Sequence, residues 1–292
     1  MAATAGGFDH ILCPIDFSKH SRTALRVAAE LASRGGGRVT ALYVSDPLLD
    51  AAAAAAAYDT RALKAQAQKE LQQFVRRARL SPDVRVECTM APGAAGATIT
   101  AFAERHAATM IVMGSHGLTG PHKWLLGSVA EQVLRKTAVP VLLVPQRMPR
   151  GKALERWPGT TAVIGVDLAE TGASAVKVLR ATVRQFGIRP TFVHVLRPVA
   201  FPSWLGSRHI RRAESTRAQS AIRALADKVA MKADCRLLSG DPADEIAAAA
   251  ANVGTGLVIL TLRRGPRFTG PRRGSITYRV AARGATAVLA VP

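Results

Sequence analysis

Short apolar runs alternate with amphipathic segments along the first half of the chain. Five runs are nearly continuous in apolar residues and predict buried β-strands: HILCPI (10–15), RVTALYV (38–44), VRVECTM (84–90), TMIVM (109–113) and VPVLLV (139–144). Four stretches between them have helical periodicity: SRTALRVAAELASR (21–34), residues 60–79, AGATITAFAERH (95–106) and SVAEQVLRKT (128–137). Apolar strands separated by amphipathic helices predict a parallel sheet covered on both faces, and right-handed crossovers make that sheet doubly wound.

The second half of the chain repeats this pattern. Residues 110–145 align without a gap with residues 257–292, and the beginnings of the two halves align as well. Self-similarity of this kind indicates a duplicated structural unit. The matching stretches include Gly127-Ser128 with Gly274-Ser275, Pro145 with Pro292, and ILCPID (11–16) with AVIGVD (162–167).

The duplication predicts two tandem domains, 1–148 and 158–292. Each is expected to be a doubly wound, five-stranded parallel sheet with helices on both faces. The boundary falls in a basic stretch at 146–159 that contains proline and glycine, as linkers often do. The last strands of the two halves, VPVLLVP and TAVLAVP, are short and apolar, and unpaired sheet edges invite pairing. We therefore expect the two copies to pack as an intramolecular pseudo-dimer, and a homodimer of whole chains is a further possibility.

Composition excludes several protein classes. No apolar run reaches the roughly 18 to 20 residues that a membrane span needs, and the N-terminus MAATAGGFDH lacks the features of a secretory signal. The three cysteines, Cys13, Cys88 and Cys235, are far apart and odd in number, which argues against a disulfide framework or a zinc site. These features predict a cytoplasmic protein without membrane partners.

The chain is strongly basic. Its formal net charge is +20, with an excess of seven positive charges in residues 1–150 and of thirteen in residues 151–292. An arginine-rich chain from a GC-rich genome can carry such a charge with no dedicated partner. The alternative is attraction to phosphate in nucleotides, nucleic acid or anionic lipid.

A glycine-containing loop follows the fourth predicted strand. Its spacing is Gly114-x2-Gly117-x9-Gly127, with Ser128 directly after the last glycine. Glycine lets the backbone approach a phosphate closely, and the next helix presents unpaired amides and its positive dipole end to an anion. The spacing matches neither a Walker loop nor the dinucleotide G-x-G-x-x-G. Taken alone, the loop could also be a simple helix-entry turn.

Asp16 ends the first predicted strand, in the sequence PIDFS. In a doubly wound sheet, ligands bind beyond the carboxyl ends of the strands, where the strand order reverses. A carboxylate there can accept hydrogen bonds from ribose hydroxyls. Asp16 could instead cap the helix that starts near Ser18–Ser21, and both roles are compatible.

These segments resemble the universal stress protein family, and the two copies resemble its tandem-domain members. The resemblance rests on ILCPIDFSKHSRTALRVAAELA, on ALYVSDP, and on IVMGSHGLTGPHKWLLGSVAEQVLRKTAVPVLLVP with its glycine motif. It covers nearly the whole chain except 48–80 and 199–230. It implies a Rossmann-like, adenine nucleotide alpha hydrolase-like fold, a role in stress response, and ATP binding in the first domain.

The resemblance also implies roles for individual residues. The first strand would line the adenosine, with Asp16 on the ribose, and Val44 would pack on the adenine. The loop and the following helix would hold the phosphates, through backbone amides and the hydroxyl of Ser128. Magnesium would accompany the phosphates, although no dedicated carboxylate ligand is evident. The complete set is Pro14, Ile15, Asp16, Val44, Met113, Gly114, Ser115, His116, Gly117, Gly127, Ser128 and Val129.

The second copy departs from the motif. Thr261 and Arg264 stand where the first copy has Gly114 and Gly117, and side chains there hinder close approach of a phosphate to the backbone. Its loop, TLRRGPRFTGPRRGS, is rich in arginine. Three interpretations stay open: a degenerate copy kept for folding and pairing, an arginine loop for another anion or RNA, or a shifted register that uses Gly265.

Three functional hypotheses follow. The first is a regulatory ATP-binding protein with a degenerate second domain. The second is a slow ATPase, for which no general base is positioned by the motif, so that turnover would rest on electrostatics alone. The third is a nucleic-acid-binding protein that uses the basic second copy. His116 and His122 could touch phosphates, while Cys13 is expected to be a core residue.

Overall fold

The computed structural model describes residues 8–116, 126–168, 171–198, 207–230, 232–262, 275–283 and 285–292. The first half contains β1 (His10–Ile15), α1 (Lys19–Gly35), β2 (Arg38–Ser45), α2 (Pro47–Ala55), α3 (Thr60–Arg77), β3 (Arg85–Pro92), α4 (Ala95–Arg105), β4 (Met110–Gly114), α5 (Ser128–Lys136) and β5 (Val141–Val144). A short helix, α6 (Lys152–Glu155), leads into the second half. That half contains β6 (Thr161–Gly165), α7 (Ala173–Phe186), β7 (Arg189–Leu196), α8 (Ser207–Val229), β8 (Asp234–Ser239), α9 (Pro242–Val253), β9 (Leu257–Thr261), α10 (Ile276–Ala282) and β10 (Ala287–Val291).

The strands form one mixed sheet in the order β3-β2-β1-β4-β5-β10-β9-β6-β7-β8. Within each half all strand pairs are parallel, because each strand is followed by a helical crossover. The halves join where β5 and β10 pair antiparallel, with Leu142 opposite Leu289. The α/β fold class with helices on both faces is confirmed. The two five-stranded sheets are continuous with each other through their last strands.

Two apolar cores cover the two faces of this sheet. One contains Leu25 and Leu31 of α1 with strand residues such as Ile11 and Val112. The other contains Ile99 of α4 and Val133 of α5 with Leu12. Both cores draw residues from both halves of the chain. Cys13 is buried in the first core, as its sequence context predicted.

The stretch that the sequence predicted to be a linker is packed into the protein. Trp157 is only 4% exposed and its ring lies edge-on to Phe186 of α7, with centroids 6.0 Å apart. Its indole Nε1 donates to the carbonyl oxygen of Gly256, at 3.1 Å. The guanidinium of Arg34, near the end of α1, donates to the carbonyl oxygens of Leu154 and Trp157. We call residues 146–159 the connector.

Helix α2 was not predicted from the sequence. Asp46 caps it by accepting a hydrogen bond from the amide of Leu48 at 2.9 Å, and Pro47 occupies its first turn. The alanine run supplies the helix propensity but little apolar surface, and Leu48 is 77% exposed. Among the described residues, no helix is long and apolar enough to cross a membrane.

Candidate functional site

The candidate site lies at the carboxyl edge of the first half of the sheet, between β1 and β4. These two strands are adjacent and parallel. From β1 the chain continues outward to β2, and from β4 it continues in the opposite direction to β5. The strand order therefore reverses between them, which is where doubly wound sheets bind ligands.

Asp16 stands directly after β1 and is partly buried. Its Oδ1 accepts a hydrogen bond from the backbone amide of Ser18 at 3.0 Å, across Phe17, whose φ is +61°. Ser18 caps α1 by accepting from the amide of Ser21 at 3.0 Å. The capping role considered for Asp16 therefore belongs to Ser18. Oδ2 of Asp16 has no hydrogen bond within the described part of the chain, so it can accept one from a ligand.

Gly114 ends β4 and lies against His20 of α1. A Cβ built on Gly114 would lie 2.8 Å from Cβ of His20 and 3.0 Å from the carbonyl oxygen of His116. Glycine is therefore required here by the close approach of α1, in addition to any ligand. Sequence reasoning missed His20, although it lies in the first turn of α1, four residues after Asp16.

Two histidines flank this point. The rings of His20 and His116 have centroids 5.7 Å apart, and Nδ1 of His116 is 2.9 Å from Oγ of Ser115. Burial lowers the pKa of His20, and the neighbouring Asp16 partly opposes that shift. Burial therefore favours the neutral form of His20 beside the site.

Gly127 and Ser128 form the entrance to α5. The amide of Gly127 donates to the carbonyl oxygen of Ser115 at 2.9 Å, which ties the far end of the loop to the end of β4. Gly127 is the N-cap residue, and no side chain caps the helix. Ser128 is exposed and Val129 partly buried, both in the first helical turn. The Gly127 amide is thus used within the fold, so only Ser128 and Val129 of this group remain candidate donors to a phosphate.

The apolar candidates divide between the two faces of the sheet. Val44, Met113 and Val129 pack against the core on the α4–α5 side. Ile15 is buried in the opposite core because side chains alternate along a strand. Ile15 can therefore offer only its backbone to a ligand on the α4–α5 side. Pro14 is partly buried, and Gly117 and His122 lie outside the described residues.

Comparison with known proteins identifies the family. The sequence model of the universal stress protein family matches residues 7–145 and 160–292. This chain belongs to the universal stress protein family. It is 34% identical, over 140 residues, to a universal stress protein of Methanocaldococcus jannaschii; the match covers 47% of this chain and 82% of the relative.

Solved structures share the fold over nearly the whole chain. The chain is similar to a universal stress protein from Archaeoglobus fulgidus, with 18% identity, a TM-score of 0.64 and 97% of each chain covered. It is also similar to a functionally unknown protein from Pseudomonas aeruginosa, with 14% identity and a TM-score of 0.64. That match covers 99% of this chain and 94% of the other. At these identities the likeness shows the fold alone.

The second universal stress protein domain differs at the equivalent edge. Ser275 is the N-cap of α10, and its Oγ accepts a hydrogen bond from the amide of Tyr278 at 3.2 Å. The equivalent Ser128 lies inside the first turn of α5 and caps nothing. Asp167, the counterpart of Asp16, accepts hydrogen bonds at its carbonyl oxygen from the amide and hydroxyl of Thr171. Thr261 ends β9 where Gly114 ends β4, and the arginine loop, 263–274, lies outside the described residues.

Metal ions are held by clusters of side chains such as carboxylates and imidazoles. The described residues contain no group of three or more His, Cys, Asp or Glu side chains placed to hold a metal ion. Asp16, which directly follows β1, places a carboxylate at this edge of the sheet. Magnesium that accompanies ATP is often held by the phosphates and one or two carboxylates, so the magnesium inferred from the family resemblance stays a prediction.

Proposed function

We propose that this universal stress protein binds one ATP molecule, at the β1–β4 edge of its first domain, as a regulator in stress physiology. Family membership supports a stress-related role. Because no dedicated catalytic base is present in the motif, a regulatory role is favoured over catalysis. In that role the protein's conformation or choice of partner depends on whether ATP is bound.

The observation that carries this proposal is the contrast between Ser128 and Ser275. In the first domain no side chain caps the first-turn amides of α5, and the hydroxyl of Ser128 is not used as a cap. In the second domain the serine hydroxyl is used to cap α10. An uncapped helix start with an exposed hydroxyl is suited to phosphate oxygens, because the amides and the positive dipole end point toward the anion.

Asp16 supplies the second half of the proposed site. Because Oδ1 is fixed by the Ser18 amide, the carboxylate is held in one orientation, and Oδ2 is left to accept from the ribose hydroxyls. The adenine would then lie toward Val44 at the end of β2, on the same face as Val129. Contacts to the ribose and the adenine, in addition to the phosphates, would make the site selective for a nucleotide over free phosphate.

The test is ATP binding to Asp16→Asn, measured by isothermal titration calorimetry. Asparagine keeps an oxygen for the Ser18 amide but removes the charge, so the fold is retained. Loss of a hydrogen bond to a charged group should weaken ATP binding by about 10- to 100-fold. The matched control is Asp167→Asn in the second domain, which should bind ATP like the wild type. Unchanged affinity in Asp16→Asn would contradict the proposed site.

A further inference from the structure

Four arginines from three separate segments lie near one another beside α1. Arg22 and Arg26 lie on successive turns of α1, Arg79 follows α3, and Arg150 belongs to the connector. We call these four residues the arginine cluster. Arg26 is anchored because its Nε donates to the carbonyl oxygen of Ala78 at 3.0 Å. Arg26 and Arg150 line one pocket together with Thr23 and Gln146.

The positive charge of the arginine cluster is not balanced by nearby carboxylates. Among the residues that the structure describes, none of these four arginines forms an ion pair. The ion pairs there are formed by other arginines. Glu30, one turn beyond Arg26, is paired with Arg34 at 3.0 Å. Burial lowers the pKa of Arg26, and the guanidinium groups of Arg150, Arg22 and Arg79 lower it further. Neighbouring like charges are unfavourable unless an anion lies among them.

Arg22 adds a fixed donor to this surface. Its guanidinium carbon lies 4.9 Å from the ring centroid of Phe74 in α3, so the ring restrains the guanidinium plane. Its Nε is buried and has no hydrogen-bond partner in the described structure. A buried donor without a partner is costly, so Arg22 is held here by its packing on Phe74 rather than by a hydrogen bond from Nε.

We propose that the arginine cluster is a binding site for the phosphate groups of a small polyphosphate. Guanidinium groups donate in a planar fork that matches phosphate oxygens, and Arg26 and Arg150, which line one pocket, can bind adjacent phosphates. The cluster is compact and its neighbouring aromatic, Phe74, is 5% exposed, so it offers no stacking surface for bases. These features favour a compact polyphosphate over single-stranded nucleic acid.

This site is distinct from the proposed ATP site. The arginine cluster contacts α3 through Phe74 and Ala78, whereas His20 of the same helix contacts Gly114 at the β1–β4 edge. The two sites therefore lie on different sides of α1. The inference does not depend on ATP binding in the first domain.

The experiment is titration of the full chain with inorganic tripolyphosphate by calorimetry. Arg150→Gln is the test variant, because Arg150 is exposed and forms no hydrogen bond within the described structure. Loss of one charge-assisted contact should weaken binding by about tenfold. The matched control is Arg147→Gln, an exposed connector residue three positions away that does not line the pocket. It should bind within about twofold of the wild type, because a distant surface charge is screened by salt.

Several results would overturn the proposal. One is wild-type protein that does not bind tripolyphosphate, or Arg150→Gln and Arg79→Gln variants that bind it like the wild type. Another is loss of tripolyphosphate binding in Asp16→Asn or Ser128→Ala with no effect of Arg150→Gln, which would place the ligand at the ATP site. Tighter binding of a single-stranded oligonucleotide than of tripolyphosphate would assign the cluster to nucleic acid. Failure of ATP binding alone leaves the tripolyphosphate result unchanged, so the two proposals are tested separately.

Discussion

The hydroxyl of Tyr278 accepts a hydrogen bond from the backbone amide of Leu126 at 3.3 Å. Tyr278 belongs to α10 of the second domain, and Leu126 immediately precedes Gly127 at the entrance to α5 of the first. Both residues are buried. The second domain thus supports the position at which the first domain is proposed to bind phosphate. A copy that has lost its own motif can still be required for nucleotide binding.

We expect Tyr278→Phe to weaken ATP binding by about 2- to 10-fold, the value of one net hydrogen bond. The reason is that the amide of Leu126 loses its acceptor and the helix entrance is less firmly placed. The measurement is calorimetric titration with ATP. Tyr58→Phe is the matched control because Tyr58 is 65% exposed on the surface. Equal affinities of the two variants would refute this coupling.

Substitution of the two equivalent serines should affect different properties, ATP binding in one case and stability in the other. Ser275→Ala removes the N-cap of α10 and should lower the free energy of unfolding by about 1 kcal/mol while ATP affinity stays unchanged. Ser128→Ala removes no cap, so it should leave the unfolding midpoint nearly unchanged and weaken ATP binding. Thermal unfolding and ATP titration of both variants provide the check. A reversed pattern would contradict the assignment of the two serines.

Acidification should destabilise the protein through His10. Its Nδ1 lies 3.0 Å from the carbonyl oxygen of His106, and its Nε2 lies 2.8 Å from Oγ1 of Thr40. Burial lowers the pKa of His10, and the charge of Arg38 lowers it further. At acidic pH the unfolded chain therefore binds more protons than the folded chain. The contribution of His10 to stability is fully present above the ordinary pKa of about 6.5. It is lost as the pH falls through the lowered pKa of the folded state.

The measurement is the NMR titration of the His10 ring together with thermal unfolding between neutral and acidic pH. Each unit by which the pKa is lowered corresponds to about 1.4 kcal/mol of lost stability. His10→Gln should show a smaller loss on acidification than the wild type, with the part due to His20 retained. A His10 pKa at or above its ordinary value would contradict this prediction.

Trp157 should be the most sensitive residue of the connector. Trp157→Phe removes the donor to the carbonyl oxygen of Gly256 and should cost about 1 kcal/mol of unfolding free energy. Trp157→Ala also empties the space against Phe186 and should cost about 3 to 5 kcal/mol. Thermal unfolding gives both values. Arg156→Ala, at an exposed neighbouring position, serves as the control and should change stability little.

The sequence predicted the parts of the fold that depend on local pattern. The strands of the first half were predicted to within two residues at each end, because continuous apolar runs such as HILCPI have few alternatives in a parallel sheet. The helix of Pro47–Ala55 was missed because its alanines show no apolar face and its only strong signal is the Asp46 cap. The sequence predicted only a linker at 146–159, because the burial of Trp157 depends on distant partners such as Phe186.

At the candidate site, the sequence predicted where residues stand along the strands better than it predicted which residues they contact. It placed Asp16 and Gly114 at the ends of adjacent strands, as the structure has them. It could not foresee that the Gly127 amide bonds to Ser115, or that Tyr278 reaches Leu126 from the other domain. Both contacts depend on how a loop closes and how two domains pair, which no local periodicity encodes.

The number of ATP molecules bound per chain tests the central claim most directly. Native mass spectrometry of the purified chain at saturating ATP counts them without reference to activity. We predict one ATP per chain in the wild type, retained in Asp167→Asn and greatly reduced in Asp16→Asn. No bound ATP, two ATP molecules per chain, or loss in Asp167→Asn instead of Asp16→Asn would contradict the assignment of the nucleotide to the first domain.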